Sequence, residues 1–355
     1  MGVDQAAAVE SKQVMVAKAA ALPRDPDRAV AFPHGSSNFR ALLIDRFDKV
    51  VDQFELLHPS DSYEDLTHAT AAALLHFGCL PAVGAAFLAG PVPKRGLLRF
   101  SNVKEWDPFD RAENEVAFGF KTDWLNDGAA GYYGLLRLDT SDFTVLRTGK
   151  YRRGDAYLYA IFGTGLNTGG PQPREDGHLL FVPRSEEEVE LQRYLKNVLG
   201  HWPEWEDVVS GGTGFRLVAD YFLDKNEGSH ESDFAREYEE TPHKKRGAVV
   251  TRFALAGDSV ASAAAKQVFE SLGSWLGAMA ISHQVTRIDL SPGILSDEIM
   301  RHYCLKETGF TTAFEDQGRP MFKEVAQNCT VRVCRRNPEH EGAVERAAEL
   351  LRLRG

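Results

Sequence analysis

The chain has 355 residues, 43% hydrophobic and 26% charged, and is long enough to form two domains of ordinary size. The net charge of -10 argues against nucleic acid or an anionic membrane as the main partner. No apolar run approaches the roughly 20 residues that a membrane span needs, and residues 1–21 lack the apolar stretch of a secretory signal. The four cysteines form no Cys-x-x-Cys pair, which is typical of reduced thiols in a cytoplasmic protein without a zinc site.

The first part of the chain predicts strands followed by alternating helices and strands. Residues 29–45 predict two apolar strands joined by the small-residue turn Gly35-Ser36-Ser37-Asn38. Backbone N–H groups at such a turn can hold phosphate oxygens, although the pattern alone favours a plain β-hairpin. The other elements predicted here are strands over 47–57, 82–89 and 97–100 and helices over 63–77, 110–117 and 129–138. This order indicates an α/β fold with a mixed sheet.

Within this part, the segment Asp123-Trp124-Leu125-Asn126-Asp127-Gly128 predicts the end of a buried strand, or a turn. A carboxylate in apolar surroundings often marks a functional site, so Asp127 is a candidate general base. The alternative is a helix cap or a turn, because Asn, Asp and Gly are common at such positions. The tripeptide taken alone favours this alternative.

The second part of the chain contains further small-residue turns. A strand over 156–162 runs into Gly163-Thr164-Gly165, a turn that suits close backbone approach to a phosphate, although one Gly-Thr-Gly is a weak signal. The other such turns are Ser210-Gly211-Gly212-Thr213-Gly214 and Ser291-Pro292-Gly293. The remaining predictions are strands over 179–182, 286–290 and 329–334, helices over 185–199, 215–222, 259–281, 297–302 and 341–351, and a charged, mobile excursion over 224–245.

The order of these motifs resembles that of the bacterial-type glucokinases, within the actin-like sugar kinase superfamily. The resemblance runs from about Val30 to the C-terminus. The motifs that carry it are Gly90-Pro91-Val92, Ser101-Asn102 with Trp106, Leu125-Asn126-Asp127, Gly163-Thr164-Gly165-Leu166, Glu175 with Gly177-His178, Ser185-Glu186-Glu187-Glu188, Gly200-His201, Glu206, Ser210-Gly211 and Ala313-Phe314-Glu315-Asp316-Gln317-Gly318-Arg319.

The resemblance implies a two-domain, actin-like ATPase (ribonuclease H-like) α/β fold with mixed sheets and a central cleft. It implies an N-terminal tail over 1–28, a small domain over 29–140 and a large domain over 141–355. The implied activity is the phosphorylation of glucose to glucose 6-phosphate, with ATP and Mg²⁺ as cofactors. The implied location is the cytoplasm, without nucleic acid or membrane as partner and with a homodimer as an open possibility.

The resemblance also assigns roles to residues of this sequence. It implies that Asp127 is the general base and that sugar hydroxyls are held by Asn102, Asn126, Asp127, Glu175, His178 and Glu206. The nucleotide is implied to lie against Gly35, Ser36, Ser37, Asn38, Gly163, Thr164, Gly165 and Gly293, and no residue is predicted to ligate a metal. Taken singly, each sugar residue has a structural alternative, such as a turn residue for Asn102, a solvated acid for Glu175 or a core histidine for His178.

Three motifs depart from the family's pattern, and one of them, a glycine-rich Leu-Leu-Gly-x-Gly-Ala near the end, here reads Glu339-His340-Glu341-Gly342-Ala343. Where the family has Asp-x-Gly-Gly-Thr-Asn, this chain has Pro33 in place of the Asp that helps to position Mg-ATP, and proline offers neither charge nor N–H. A later Gly-Gly pair of the family is here Ser291-Pro292. Three hypotheses therefore stay open: a working glucokinase, a weak or inactive sugar-binding regulatory protein, and a kinase of another hexose, an amino sugar or a cyclitol. Asp45 and Asp289 are candidate replacements for the lost metal contact.

Overall fold

The chain forms two compact units. The first runs through Leu138 and takes up residues 338–354 again at the end of the chain, and the second comprises 139–170 and 174–337. This division differs from the sequence-based expectation, which placed everything after residue 140 in one large domain. The computed structural model describes residues 10–33, 38–57, 62–88, 92, 97–98, 108–152, 154–170, 174–226 and 231–354.

The first unit contains a five-stranded mixed sheet. Its strands are β1 (Arg24–Pro33), β2 (Asn38–Asp45), β3 (Val50–Leu57), β4 (Leu80–Leu88) and β7 (Lys121–Asn126), while β5 (Leu97–Leu98) and β6 (Phe109–Asp110) pair separately. The order across the sheet is β3-β2-β1-β4-β7. Strand β1 is antiparallel to β2 and parallel to β4, and β4 is parallel to β7, so the hairpin predicted over 29–45 and the mixed sheet are confirmed.

Five α-helices lie in the described part of this unit. They are α1 (Lys12–Ala20), α2 (Leu66–Phe77), α3 (Arg111–Phe118), α4 (Asp127–Gly134) and the last helix of the chain, α14 (Pro338–Arg352). Part of the predicted tail is thus a helix, because Ala19 is buried and Met15 and Val16 pack against the same core as α2. Lys12 of α1 also forms an ion pair with Asp65, the N-cap of α2.

Helix α14 returns to the first unit because it crosses α4 at very close range. A Cβ on Gly134 would lie 1.8 Å from the carbonyl oxygen of Pro338, and a Cβ on Gly342 would lie 1.7 Å from that of Ala130. Apolar side chains around this crossing complete a buried core, from Ala129 and Ala130 on α4 and Ala343, Val344, Ala347, Ala348 and Leu351 on α14. The crossing therefore fixes the helix that begins at Asp127.

Replacing Gly342 with alanine should destabilise the protein. Alanine would gain about 1 kcal/mol of helix propensity over glycine, but overpacking typically costs about 1–3 kcal/mol, and a clash with backbone cannot be relieved by a side-chain rotation. We expect a net loss of about 1 kcal/mol or more in the free energy of unfolding, measured by urea denaturation. An unchanged or raised midpoint would show that the two helices do not cross at the observed distance.

The second unit is built on another five-stranded mixed sheet. Its strands are β8 (Phe143–Arg147), β9 (Tyr157–Phe162), β10 (Leu166–Gly169), β11 (Arg287–Leu290) and β12 (Thr330–Cys334), in the order β10-β9-β11-β12-β8. The three central strands are parallel, and the two edge strands are antiparallel to their neighbours. Parallel central strands place the segments that follow β9 and β11 at the same edge of the sheet.

Nine α-helices of the described residues belong to the second unit. They are α5 (Glu186–Leu199), α6 (Trp205–Val208), α7 (Thr213–Lys225), α8 (Asp233–Glu240), α9 (Arg246–Leu255), α10 (Ser259–Ser282), α11 (Glu298–Lys306), α12 (Phe310–Glu315) and α13 (Pro320–Asn328). Helix α10 confirms the long helix predicted over 259–281, and its buried face includes Trp275 and Leu276. In the part of the chain that the structure describes, no helix has the length and apolar character needed to cross a membrane.

Two local predictions for this unit are wrong. The charged segment 224–245 contains helix α8, which Ser232 caps and which buries Phe234 and Tyr238. The Tyr238 hydroxyl donates a hydrogen bond of 2.6 Å to Asp220, so an apolar stripe inside a charged segment is sufficient to order it. Residues 179–182 form no strand, and their one described bridge joins Leu180 to Glu204.

Candidate active site

Asp127 lies at the carboxyl end of β7 and is the first residue of α4. Asn126 is fully buried and caps the helix, with its Oδ1 accepting a 2.8 Å hydrogen bond from the Ala129 N–H. Asp127 is half-buried, and its Oδ1 accepts a 2.8 Å hydrogen bond from the Gly128 N–H. The helix cap suggested by the tripeptide is therefore present, and it holds a carboxylate at the edge of the sheet where α/β proteins bind ligands.

The second unit brings Glu175, His178 and Glu206 into one electrostatic environment. Glu175 precedes a single 3₁₀ turn, Asp176–His178, and Glu206 belongs to the short helix α6. Burial alone would lower the pKa of His178, but the hydrogen bond to Glu204 and the negative charges of Glu206, Glu204 and Glu175 raise it above its ordinary value. Acids from separate positions in the sequence thus act on the same imidazole.

The exposed imidazole of His178 is oriented by Glu204. Its Nδ1 lies 2.7 Å from Glu204 Oε2. A carboxylate accepts hydrogen bonds but does not donate them, so Nδ1 carries a proton and Nε2 is the ring nitrogen left to meet a ligand. Nε2 accepts in the neutral ring and donates in the charged one, which suits a partner that can do both, such as a hydroxyl group.

The Glu206 carboxylate is half-buried and accepts a 3.2 Å hydrogen bond at Oε2 from the Leu166 N–H of β10. Burial raises the pKa of Glu206, and the Leu166 N–H and the nearby His178 offset this increase only in part. Glu175 is likewise tied to β10, because the side-chain amide of Asn167 donates to Glu175 Oε2 at 3.0 Å. These planar, fixed acceptors can read adjacent hydroxyl groups of a polyol.

Replacing Glu204 with glutamine should lower the pKa of His178, because the substitution removes a full negative charge 2.7 Å from Nδ1. In the native protein the raised pKa means that the pair contributes to stability below the ordinary histidine pKa of about 6.5, and this contribution is lost as pH rises through the folded value. An NMR titration of the ring protons should show the His178 midpoint moving to lower pH in Glu204→Gln. His340 of the first unit, whose pKa burial and the nearby Arg40 lower below its ordinary value, is the internal control and should titrate at the same pH in both proteins.

A group of glycine turns lies at the carboxyl ends of β9 and β11. The Gly211 N–H donates a 2.6 Å hydrogen bond to the Gly163 carbonyl, and a Cβ on Gly293 would lie 2.8 Å from the carbonyl oxygen of Phe162. A Cβ on Gly163 would meet nothing within 4 Å, and Thr164 beside it is exposed. The turns at Gly163-Thr164-Gly165 and Gly293 thus form a cradle of backbone with room for a bound group.

Four of the predicted site residues, Asn102, Gly35, Ser36 and Ser37, lie outside the described residues. Asn38 opens β2, where its backbone pairs with Leu57. Pro33 ends β1, a central strand of its sheet, and pairs with Phe87. Asn126 and Asp127 belong to the first unit, and Glu175, His178, Glu206, Gly163, Thr164, Gly165 and Gly293 belong to the second.

The two acids considered as replacement metal contacts have other partners. Asp45 accepts hydrogen bonds from the N–H groups of Phe47 and Lys49 at 2.9 and 3.0 Å, and so holds the turn between β2 and β3. Asp289 is fully buried in ion pairs with Arg287 at 2.9 Å and Arg332 at 2.6 Å. Both carboxylates therefore serve the local structure of their own units.

Comparison with known protein families identifies the family of this chain. The family model named Glucokinase matches residues 35–343. This chain belongs to the glucokinase family. The match runs from β2 through the whole of the second unit and into α14, so it covers the second unit and most of the first unit of this glucokinase-family protein.

Individual relatives agree with the family match. The glucokinase of Synechocystis sp. is 26% identical over 294 residues, which cover 76% of this chain and 82% of the relative. The crystal structure of glucokinase from Balamuthia mandrillaris in complex with glucose superimposes with a TM-score of 0.70 at 21% identity, covering 95% of this chain and 98% of that one. A ROK family glucokinase from Streptomyces griseus, in complex with glucose and AMPPNP, gives 0.57 at 18% identity, covering 92% and 99%. The predicted fold, that of the actin-like sugar kinases, is confirmed.

Several residues that contact the predicted site of this glucokinase-family protein were not singled out from sequence. They are Glu204 beside His178, Asn167 beside Glu175, and Asp176 with its partners Thr168 and His283. Glu204 has a visible signal, since it stands two residues before Glu206 at the start of the same helix. The others have none, because their pairing depends on how β10 lies against the 3₁₀ turn.

Proposed function

We propose that this chain transfers the γ-phosphoryl group of ATP to the primary hydroxyl of glucose and forms glucose 6-phosphate. The observation that carries the proposal is the glucokinase-family match over residues 35–343 in a chain that keeps Asp127 at the carboxyl edge of a sheet. The relative from Synechocystis sp. and both solved structures described above are named glucokinases, which supports the same activity.

The roles of the residues follow from what phosphoryl transfer requires. The reaction depends mainly on positioning and on stabilising charge, with little covalent chemistry for the protein to perform. In this proposal the Asp127 carboxylate accepts the proton of the attacking hydroxyl, while the capped helix start holds that carboxylate in place. Glu175 and Glu206 accept hydrogen bonds from sugar hydroxyls, and His178 meets another through Nε2. Asn102 and Asn126 complete the proposed set.

The cradle in the second unit fits the phosphate groups of a nucleotide. The space around the Gly163 Cβ position lets an anion approach the backbone closely, and Thr164 adds an exposed hydroxyl. ATP bound there would supply the phosphoryl group, with Mg²⁺ neutralising its charge. Among the described residues, no group of three or more His, Cys, Asp and Glu side chains could hold a metal ion. Phosphate oxygens of the nucleotide and water molecules would therefore provide most of the ligands of Mg²⁺.

A second candidate function is a sugar-binding protein with weak or no kinase activity. Pro33 favours it, because this residue stands in a central strand where the family has the aspartate that helps to position Mg-ATP. Electrostatic contributions dominate phosphoryl transfer, so the loss of such a carboxylate would slow the reaction by orders of magnitude. A kinase acting on another hexose, an amino sugar or a cyclitol remains the third candidate.

Two measurements on the purified protein separate these functions. ADP release is followed with Mg-ATP and glucose, and glucose binding is measured by calorimetry. We expect both turnover and binding. Binding without turnover, unchanged in Asp127→Ala, would favour the regulatory function. Turnover with another hexose, an amino sugar or a cyclitol but not with glucose would move the proposal to that substrate, and the absence of activity and of sugar binding would refute all three.

The proposal places the protein in the cytoplasm, where ATP and free hexoses occur together. Three of its four cysteines, Cys304, Cys329 and Cys334, are buried, and the sequence has no Cys-x-x-Cys pair, which suits a reducing compartment. The proposed partner is a sugar and not a nucleic acid. Light scattering would measure whether the protein forms a homodimer.

A further inference from the structure

Three successive residues of β10 contact three acids in or beside the proposed sugar site. The Leu166 N–H of β10 donates to Glu206, the Asn167 side chain donates to Glu175, and the Thr168 hydroxyl donates to Asp176. The acids come from two segments, Glu175 and Asp176 at the start of the 3₁₀ turn and Glu206 on α6. The same strand follows directly on the Gly163-Thr164-Gly165 turn, so one hairpin borders both proposed subsites.

Asp176 has a second anchor at the same carboxylate oxygen, Oδ2. His283, at the C-terminus of α10, lies 2.9 Å from Asp176 Oδ2 through its Nε2, and its Nδ1 lies 2.5 Å from Arg174 Nη1. Arginine can only donate, so Nδ1 of His283 accepts and Nε2 carries the proton that Asp176 receives in a hydrogen bond. Burial alone would raise the pKa of Asp176, but hydrogen bonds from His283 and Thr168 lower it, and the charged form is retained.

The 3₁₀ turn packs closely against β10. A Cβ on Gly177 would lie 1.8 Å from the carbonyl oxygen of Leu166, so the backbone of the turn rests directly on the strand. Asp176 links Glu175 to Gly177, and its carboxylate is held by Thr168 of β10 and by His283 at the C-terminus of α10. Fixing Asp176 therefore fixes the backbone on either side, which carries Glu175 and His178.

We propose that Asn167, Thr168, Asp176 and His283 are positioning residues that hold Glu175 and His178 in the geometry required to bind the sugar. The inference rests on the proposed function. The four residues need not touch the sugar, because their contacts with Glu175 and with the turn are already satisfied within the unit. Their loss should weaken sugar binding and leave the nucleotide cradle unchanged, since the Gly163–Gly211 contact does not involve them.

Thr168→Val tests this inference, because valine keeps the shape of threonine and removes the hydroxyl that donates to Asp176. We expect the Kd for glucose to rise about tenfold, since misplacing a binding group by about 1 Å can cost as much as 10²-fold. The Kd for AMPPNP, measured by the same calorimetry, should stay within about twofold. Thr168→Ser restores a hydroxyl and should recover most of the glucose affinity. Asp176→Asn, which keeps its volume, should act in the same direction as Thr168→Val.

The matched control is Thr286→Val, since Thr286 donates through Oγ1 to Asp155 at 3.2 Å in the same unit and its backbone bonds to Ala156 and Thr330. It should lower the unfolding temperature about as much as Thr168→Val and leave the Kd for glucose unchanged. Equal losses of glucose and AMPPNP affinity in Thr168→Val, or an unchanged Kd for glucose, would refute the positioning role while the wild-type protein still binds glucose. A wild-type protein that binds no sugar would refute the proposed function, and this inference with it.

Discussion

Replacing Asp127 with asparagine should lower kcat for glucose by roughly 10²–10⁴-fold, the range that a general base contributes. The amide keeps the size of the carboxylate and can accept the 2.8 Å hydrogen bond from Gly128, but it cannot take the proton of the attacking hydroxyl. Glucose affinity should stay within a few-fold, because the other sugar contacts are unaffected. The measurement pairs the steady-state rate of ADP release with calorimetric glucose binding for the two proteins.

The matched control is Asp110→Asn. Asp110 also stands at a helix start in the first unit, where its Oδ1 accepts a 2.9 Å hydrogen bond from the Ala112 N–H. An amide at that position should cap α3 nearly as well as the carboxylate, and kcat should be unchanged. A full rate in Asp127→Asn would remove this residue from the mechanism, whereas equal rate losses in both variants would indicate damage to the first unit rather than loss of a base.

Elements whose signals lie within a few residues of one another could be predicted from sequence. The hairpin over 29–45 follows from two apolar runs around a small-residue turn, and α10 follows from a long apolar periodicity. Helix α8 could not, because its buried Phe234 and Tyr238 are separated by charged residues that dominate the local composition. The return of α14 to the first unit depends on Gly134 and Gly342, which pack against backbone that is distant in the sequence. No local sequence pattern predicts that contact.

The candidate site shows the same limit. Glu175, His178 and Glu206 were found through resemblance to a family, not through periodicity or composition. Asn167 and Thr168 each hold a residue eight positions later, and His283 reaches Asp176 across 107 positions. Such pairings are set by tertiary packing, so the sequence names the residues that would touch the sugar but not those that hold them in place.

Replacing Gly163 with valine should abolish most nucleotide binding while the fold is retained. A Cβ at this position meets no protein atom within 4 Å, and the φ angle of Gly163 lies outside the left-handed region, so a larger side chain is tolerated by the unit itself. The new side chain would occupy the space proposed for the phosphates. Overpacking of this kind costs about 1–3 kcal/mol, or about tenfold in Kd for each 1.4 kcal/mol. Calorimetry with AMPPNP should show a Kd raised by about tenfold or more, with an unfolding temperature near that of the wild type.

Gly211→Ala is the contrasting variant. Its Cβ would lie 2.7 Å from the Gly163 carbonyl and 2.9 Å from Ile294 Cδ1, so it should disturb the turn itself and lower the unfolding temperature. Glucose binding should survive in Gly163→Val, because Glu175 and Glu206 are held by β10 and His178 is held by Glu204. Intact AMPPNP affinity in Gly163→Val would place the nucleotide elsewhere. That result would give decisive weight to Pro33, which stands where the family has an aspartate. A chain that neither binds phosphate at Gly163 nor keeps that aspartate has the properties of a sugar-binding protein rather than a kinase.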